Sequence, residues 1–319
     1  MNSLRELIQN VKLILQERIV HRKGLDCMKQ IKIGTCIPGT KVVEWLPHMI
    51  KEGFETVSIN FHMSLEGVVL EELAKQVKDI LGDSGVEVSC LGFYCNPLQY
   101  PDHKKTLEHC IDVANLFGAS IVSTFAGALE GRPVEESIPV FREVFRDLEK
   151  RAADNNVKIG IENCPMGGNW HSATCNIGFN PKAWEMMFNE VPGNNIGLEW
   201  EPAHQLVQLI DPIPQLKQWV NKVVHIHGKD ANVDMDAVRR FGVYGASRFA
   251  VERTPGFGDT DWRHIISILH YGGYQGDISI EGYHDPIYSG EWEMTSQIHA
   301  LNYLKWCRGG EFVPNPWDR

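Results

Sequence analysis

The chain has 319 residues, 43% of them hydrophobic and 23% charged, with a formal net charge of −10; such a composition fills a sizeable core and excludes an intrinsically disordered chain. The acidic balance argues against a nucleic-acid partner, since phosphate binding is driven by counterion release to clustered Lys and Arg, and no stretch approaches the roughly 18 apolar residues of a membrane span. A small polar molecule is the expected partner, and eight cysteines without a C-x-x-C pair read as reduced thiols of a cytoplasmic protein.

The chain opens on MNSLRELIQNVKLILQERI, where Leu4, Leu7, Ile8, Val11, Ile14 and Leu15 recur at helical spacing among charges. An amphipathic helical extension is therefore expected over 1–29, rather than a signal peptide, either covering the bottom of the fold or meeting another subunit. From residue 30 to 308, short β-branched runs alternate with helical patterns. The strand candidates are Ile31 to Ile37, Thr56 to Phe61, Val86 to Phe93, Ser120 to Gly127, Val157 to Cys164, Asn195 to Glu201, Val223 to Asp230 and Asp277 to Tyr283. The clearest helix begins at Val134 and runs to about Lys150, with Val134, Ile138, Phe141, Phe145 and Leu148 marking one buried face. The strands read as apolar without strict alternation, as when both faces are covered.

Eight strand-then-helix units in series predict an α/β fold, a single-domain (β/α)8 TIM barrel over 30–308; an open doubly wound sheet is the rival, because periodicity does not show closure. The tail, 309–319, carries Phe312 and Trp317 among prolines and is expected to dock on a neighbour or fold back, which leaves a homo-oligomer or a small accessory subunit open. Two connections are unusually long, from about Pro165 to Phe179 and from about Ala231 to Asp259. Long loops on this side of a barrel carry the active site, so both are expected to cover a substrate pocket.

Ionisable residues stand at the C-terminal ends of the last four strands: Glu162 in IENCP, Glu201 in GLEWEPAH, His227 in HIHGKD and Glu281 in ISIEGYHD. Barrel geometry brings all four to one mouth, where carboxylates and an imidazole can surround a divalent cation. An oxygen-rich set with one nitrogen points to one ion, Mn²⁺ first, with Co²⁺, Mg²⁺ or Zn²⁺ as alternatives.

Together with PGFGDTDW, these strings resemble the xylose isomerase-like barrel superfamily, in particular its sugar phosphate isomerase/epimerase group, over roughly residues 30 to 305. The resemblance implies metal ligands at Glu162, Glu201, His227 and Glu281, with a glutamate at 201 where that group typically has aspartate; Glu199, on the same strand face, is the substitute candidate. The superfamily's apurinic-site endonucleases use additional histidines and an Asp-x-His pair, which the stretch after HIHGKD lacks.

The implied activity is a metal-dependent isomerase or epimerase that moves a proton beside the carbonyl of a keto-sugar through an enolate or enediolate. Glu162 and Glu281 are the expected acid and base, and His204 a further catalytic or substrate-binding candidate. Lys229, Arg253, His62, His171 and Trp200 are the other substrate-binding candidates, Trp170 a second stacking tryptophan, and His225 a partner of His227. The alternative is a lyase on the same scaffold, resembling inosose dehydratases or carbon-glycoside deglycosidases that act on 3-oxo-glycosides. A non-catalytic sugar-binding barrel and an endonuclease rank below both.

Overall fold

The computed structural model describes residues 30–310 together with 313, 316 and 317; the extension expected over 1–29 and Phe312 lie outside the described residues. Eight parallel strands close on themselves. They are β1 (Lys32–Pro38), β2 (Thr56–His62), β3 (Glu87–Tyr94), β4 (Ile121–Thr124), β5 (Lys158–Glu162), β6 (Ile196–Trp200), β7 (Val223–Gly228) and β10 (Asp277–Ile280). Because β1 pairs with β2 on one side and with β10 on the other, there is no free edge, and the open-sheet rival is excluded. All eight expected strands are present, several shorter at their C-terminal ends because the ladder stops where side chains turn into the mouth.

The strands do alternate where it matters, contrary to the sequence expectation. Glu199 reaches across the barrel to Tyr94, whereas Trp200 donates its indole N–H to Gln215 on the outside. Ile159, Ile161, Leu198, Ile226, Ile278 and Ile280 are fully buried in the core cluster under the helical ring. The alternate positions, Gly160, Glu162, Glu199, His225, His227, Asp277 and Ser279, are small or polar. Register pairs Glu162 with Glu199, Glu199 with His225, and His227 with Ser279, so the inward groups form rows rather than isolated points.

The ring consists of α1 (Val42–Glu52), α2 (Leu70–Leu81), α3 (Pro101–Phe117), α4 (Val134–Asp154), α5 (Pro181–Glu190), α6 (Pro202–Leu206), α7 (Pro212–Trp219), α9 (Trp262–Tyr271) and α10 (Glu293–Cys307). All five residues expected to mark the buried face of α4 are buried, and the helix runs to Asp154. Asn180 and Asp261 cap α5 and α9 by accepting from the backbone N–H of Lys182 and His264. Among the described residues no helix is long and apolar enough to cross a membrane, and the seven described cysteines are all free.

The two long connections differ. The fifth-strand loop is pinned by Asn176, whose side chain donates to the carbonyls of Glu162 and Cys164 and accepts from Ala126 and Gly178. The seventh-strand loop has secondary structure of its own: an antiparallel hairpin of β8 (Asp230–Val233) and β9 (Ala250–Arg253), with α8 (Met235–Phe241) between them. Asp230 ties the hairpin to α9 by accepting from Ala231, Thr260 and the Trp262 indole.

Candidate metal and active site

Glu162 ends β5, Glu201 follows β6, His227 lies in β7 and Glu281 follows β10, so each is delivered by the C-terminal end of a different strand. One ligand atom from each of the four lies within 4.8 Å of the others. His227 Nδ1 is the centre of the group, 3.1 Å from Glu162, 3.3 Å from Glu281 and 3.6 Å from Glu201. Glu199 sits on the opposite edge of the same ring, 3.2 Å from Nε2, so it is Glu201 and not the substitute candidate that joins the other two carboxylates. Lys229 reaches in beside them, with Nζ 2.8 Å from Glu281 and 3.5 Å from Glu201.

Crowding of like charge out of water shapes the protonation of the group. Burial pushes the Glu201 carboxyl up to about 8, against the pull of Lys229. Burial likewise raises Glu162, with His227 opposing it. Glu281 is also desolvated, yet Lys229 and His227 outweigh that and hold it well below the ordinary carboxylate range. Burial alone would lower Lys229 and His227, but the surrounding carboxylates, with Glu199 foremost for the imidazole, lift both well above their usual values.

A cation fits this donor set. Both carboxylate oxygens of Glu201 are sealed from solvent and neither accepts a well-formed hydrogen bond, although His204 Nε2 and Lys229 Nζ lie 3.1 and 3.5 Å from one of them, and three carboxylates face one ammonium and one imidazole. An excess of buried carboxylate over cationic groups is disfavoured in the ionised form unless a further positive ion balances it. Three oxygens and one nitrogen suit Mn²⁺ or Mg²⁺ better than a structural zinc.

A family model described as the xylose isomerase-like TIM barrel matches residues 49–305. The chain belongs to that family. Its curated relatives include an inosose dehydratase of Clostridium tetani, 23% identical over 199 residues, which are 58% of this chain and 63% of that enzyme. The chain thus spans a little under two thirds of that relative's length. An inosose dehydratase of Clostridium perfringens is 29% identical over 216 residues, 65% of this chain and 71% of the enzyme. Among solved structures, the 3-keto-D-glucoside 4-epimerase of E. coli superposes with a TM-score of 0.65 at 16% identity, covering 87% of this chain and all of the other. An L-ribulose 3-epimerase gives 0.63 at 16%, covering 90% and 100%. At these identities the structures show the shared fold.

In this xylose isomerase-like barrel the remaining candidates separate clearly. His204, at the start of the sixth connection, is buried with Nε2 3.1 Å from Glu201, and burial, reinforced by Lys229, holds its imidazole well below the usual range. It also lines a cavity of about 560 Å³ whose walls come from both long loops, among them Met166, Gly167, Ser247, Arg248 and Phe249. His204 therefore joins the carboxylate cluster to the cavity. His62 ends β2 with its ring edge-on to Phe125, and burial lowers its imidazole while Glu281 pulls the other way.

Four candidates lie elsewhere. Arg253 commits its guanidinium to Asn232 on the facing hairpin strand and to Asp285 in the connection after β10. His171 is exposed on the turn closed by Asn169 and Ser172. Trp200 is fully buried outside the barrel, and Trp170 donates to Glu135, so neither tryptophan offers a face to the mouth. Sequence reasoning missed Tyr94, whose hydroxyl lies 2.9 Å from Glu199 and 3.1 Å from His227 Nε2, and Asp277, 3.3 Å from His225. The only signal for Asp277 was a charged residue opening the short DISI run, in register with Ser279 two positions on.

Proposed function

We propose that the chain is a divalent-metal-dependent isomerase or epimerase that moves a proton at the carbon beside the carbonyl of a keto-sugar or sugar derivative. The observation that carries this reading is the convergence of Glu162, Glu201, His227 and Glu281 on one point at the mouth, with neither oxygen of Glu201 in a well-formed hydrogen bond. When bound there, a divalent ion acts as a Lewis acid that stabilises negative charge developing on the carbonyl oxygen.

The chain's own groups supply the rest. Glu162 and Glu281 come from strands three steps apart around the barrel and flank the same point. Glu281, kept ionised by Lys229 and His227, takes a proton from carbon, and Glu162, on the far side of the same point, returns one to the opposite face. His204 holds a substrate hydroxyl at the cavity floor, and the two long loops exclude water from the enolate.

The runner-up is a lyase, favoured by the inosose dehydratases among the relatives. Proton abstraction is the same, but the enolate expels a group and Glu162 gives its proton to the departing oxygen. Incubating Mn²⁺-loaded protein in D₂O with keto-sugars, keto-inositols and 3-oxo-glycosides separates the readings: deuterium entering carbon with an epimer or isomer formed supports the first, and a dehydrated product or released aglycone the second. No deuterium exchange with any class rejects both. Glu162→Gln and Glu281→Gln are each expected to lower turnover by about 10²–10⁴-fold with the fold intact.

A further inference from the structure

Beneath the mouth, a chain of charged side chains runs through the barrel interior, where a purely structural barrel carries branched apolar residues. It starts at Asp277 on β10, whose Oδ2 accepts from the hydroxyls of Thr56 at 2.6 Å and Ser279 at 2.8 Å. Its other oxygen faces His225 Nε2 at 3.3 Å, and His225 Nδ1 lies 2.6 Å from Glu199 Oε1. A carboxylate only accepts, so His225 donates from Nδ1 to Glu199, while Asp277 faces Nε2 as an ion pair without a well-formed hydrogen bond, and the three charges alternate as minus, plus, minus. All three side chains are buried, His225 and Glu199 completely. Gly160 on β5 makes room for them, since a Cβ there would lie 2.9 Å from the Ser123 hydroxyl and 3.3 Å from Glu199 Cβ.

Glu199 ends the chain against His227. Its Oε1 is 3.2 Å from His227 Nε2, and its Oε2 accepts from Tyr94, which leaves the phenol oxygen as a second acceptor 3.1 Å from the same nitrogen. Both groups below Nε2 thus demand a hydrogen there.

We infer that Asp277, His225 and Glu199 act as a positioning chain that holds His227 with a hydrogen on Nε2 and leaves Nδ1, which points at Glu162, Glu201 and Glu281, as its metal-facing nitrogen. The inference rests on the reading of the mouth as a divalent-ion site. An imidazole held by a carboxylate on its far nitrogen is both oriented and more basic, and loss of such support typically weakens metal binding ten- to a hundredfold. Asp277 touches nothing at the mouth; it acts by holding His225, which holds Glu199.

The test is Mn²⁺ titration of the wild type, Glu199→Gln, Asp277→Asn and the double variant, with unfolding curves to establish that each folds. Glu199→Gln is expected to bind ten- to a hundredfold more weakly, Asp277→Asn less so, and the double variant no worse than Glu199→Gln alone, because one residue acts through the other. Losses that multiply, or wild-type affinity in Glu199→Gln, overturn the chain. In wild-type protein loaded with Zn²⁺, ¹⁵N spectra should show the His227 hydrogen on Nε2; a hydrogen on Nδ1 overturns the inference even where a variant fails to fold. A wild type that binds no divalent ion overturns the inference together with the reading beneath it, whereas normal binding with unaffected variants removes the inference alone.

Discussion

At the scale of single residues, Glu201 couples ion binding to pH. Without a cation, burial lifts its carboxyl up to about 8, so it holds a proton over much of the neutral range. A cation needs the carboxylate, and binding therefore expels that proton below pH 8 but not above. Affinity for Mn²⁺ is expected to fall by at least about tenfold per pH unit as pH drops from 8 toward 6, with calorimetry in buffers of different ionisation heat reading at least one proton released, because the lifted imidazole of His227 must give up a proton as well as Glu201. Affinity that stays flat over this range contradicts the assignment. Stability of the cation-free chain has the opposite sign: the folded state binds a proton that the unfolded state, near 4.5, does not, so stability declines as pH rises from 4.5 to 8.

That the four residues meet was legible in the sequence because each stood at a strand end, where barrel topology alone fixes direction. Tyr94 was not, since its partner Glu199 is 105 positions away and only closure brings them together. Trp200 was misread although strand parity excluded it: with Glu199 and Glu201 inward, the residue between them faces the helices.

At the scale of elements, the eight barrel strands were visible as β-branched runs between turns, but the β8–β9 hairpin was not. Its strands are four residues each and separated by α8, and Asp-Ala-Asn-Val holds three poor strand formers. Arg253 explains how so short a pair persists. Its guanidinium bonds Asp285 and Asn232 and lies 5.6 Å from the Phe257 ring centroid, while Asp285 also accepts from the backbone of Thr254, Ile287 and Tyr288. Arg253→Ala is expected to cost on the order of 2 kcal/mol and to speed amide exchange over residues 250–254. An unchanged unfolding midpoint and exchange pattern, with a raised KM, would instead make Arg253 a substrate contact.

At the scale of the whole molecule, closure was the one feature that periodicity left open, and it is reinforced at the barrel's lower rim as well as by β1–β10 pairing. Glu55, just before β2, accepts from the backbone N–H of Ile33 at 2.7 Å and from both terminal nitrogens of Arg308, at 2.5 and 2.8 Å. Arg308, just beyond α10, also donates to the Ile31 carbonyl, so the last helix is fastened to the first two strands. Burial alone would raise the Glu55 carboxyl, but Arg308 and the Ile33 amide outweigh it and hold it below the ordinary value of 4.5. A carboxyl held low stabilises the fold above 4.5 and loses that contribution as pH falls through its folded value. Glu55→Gln should therefore destabilise by roughly 2–3 kcal/mol in urea unfolding at pH 7, and the gap to wild type should narrow as pH drops below about 4.5. Arg308→Met should lose a similar amount, and the double variant less than the sum, because each single change strands the other partner. Additive losses, or a gap unaffected by acid, would show that the barrel holds its ends together without this pair.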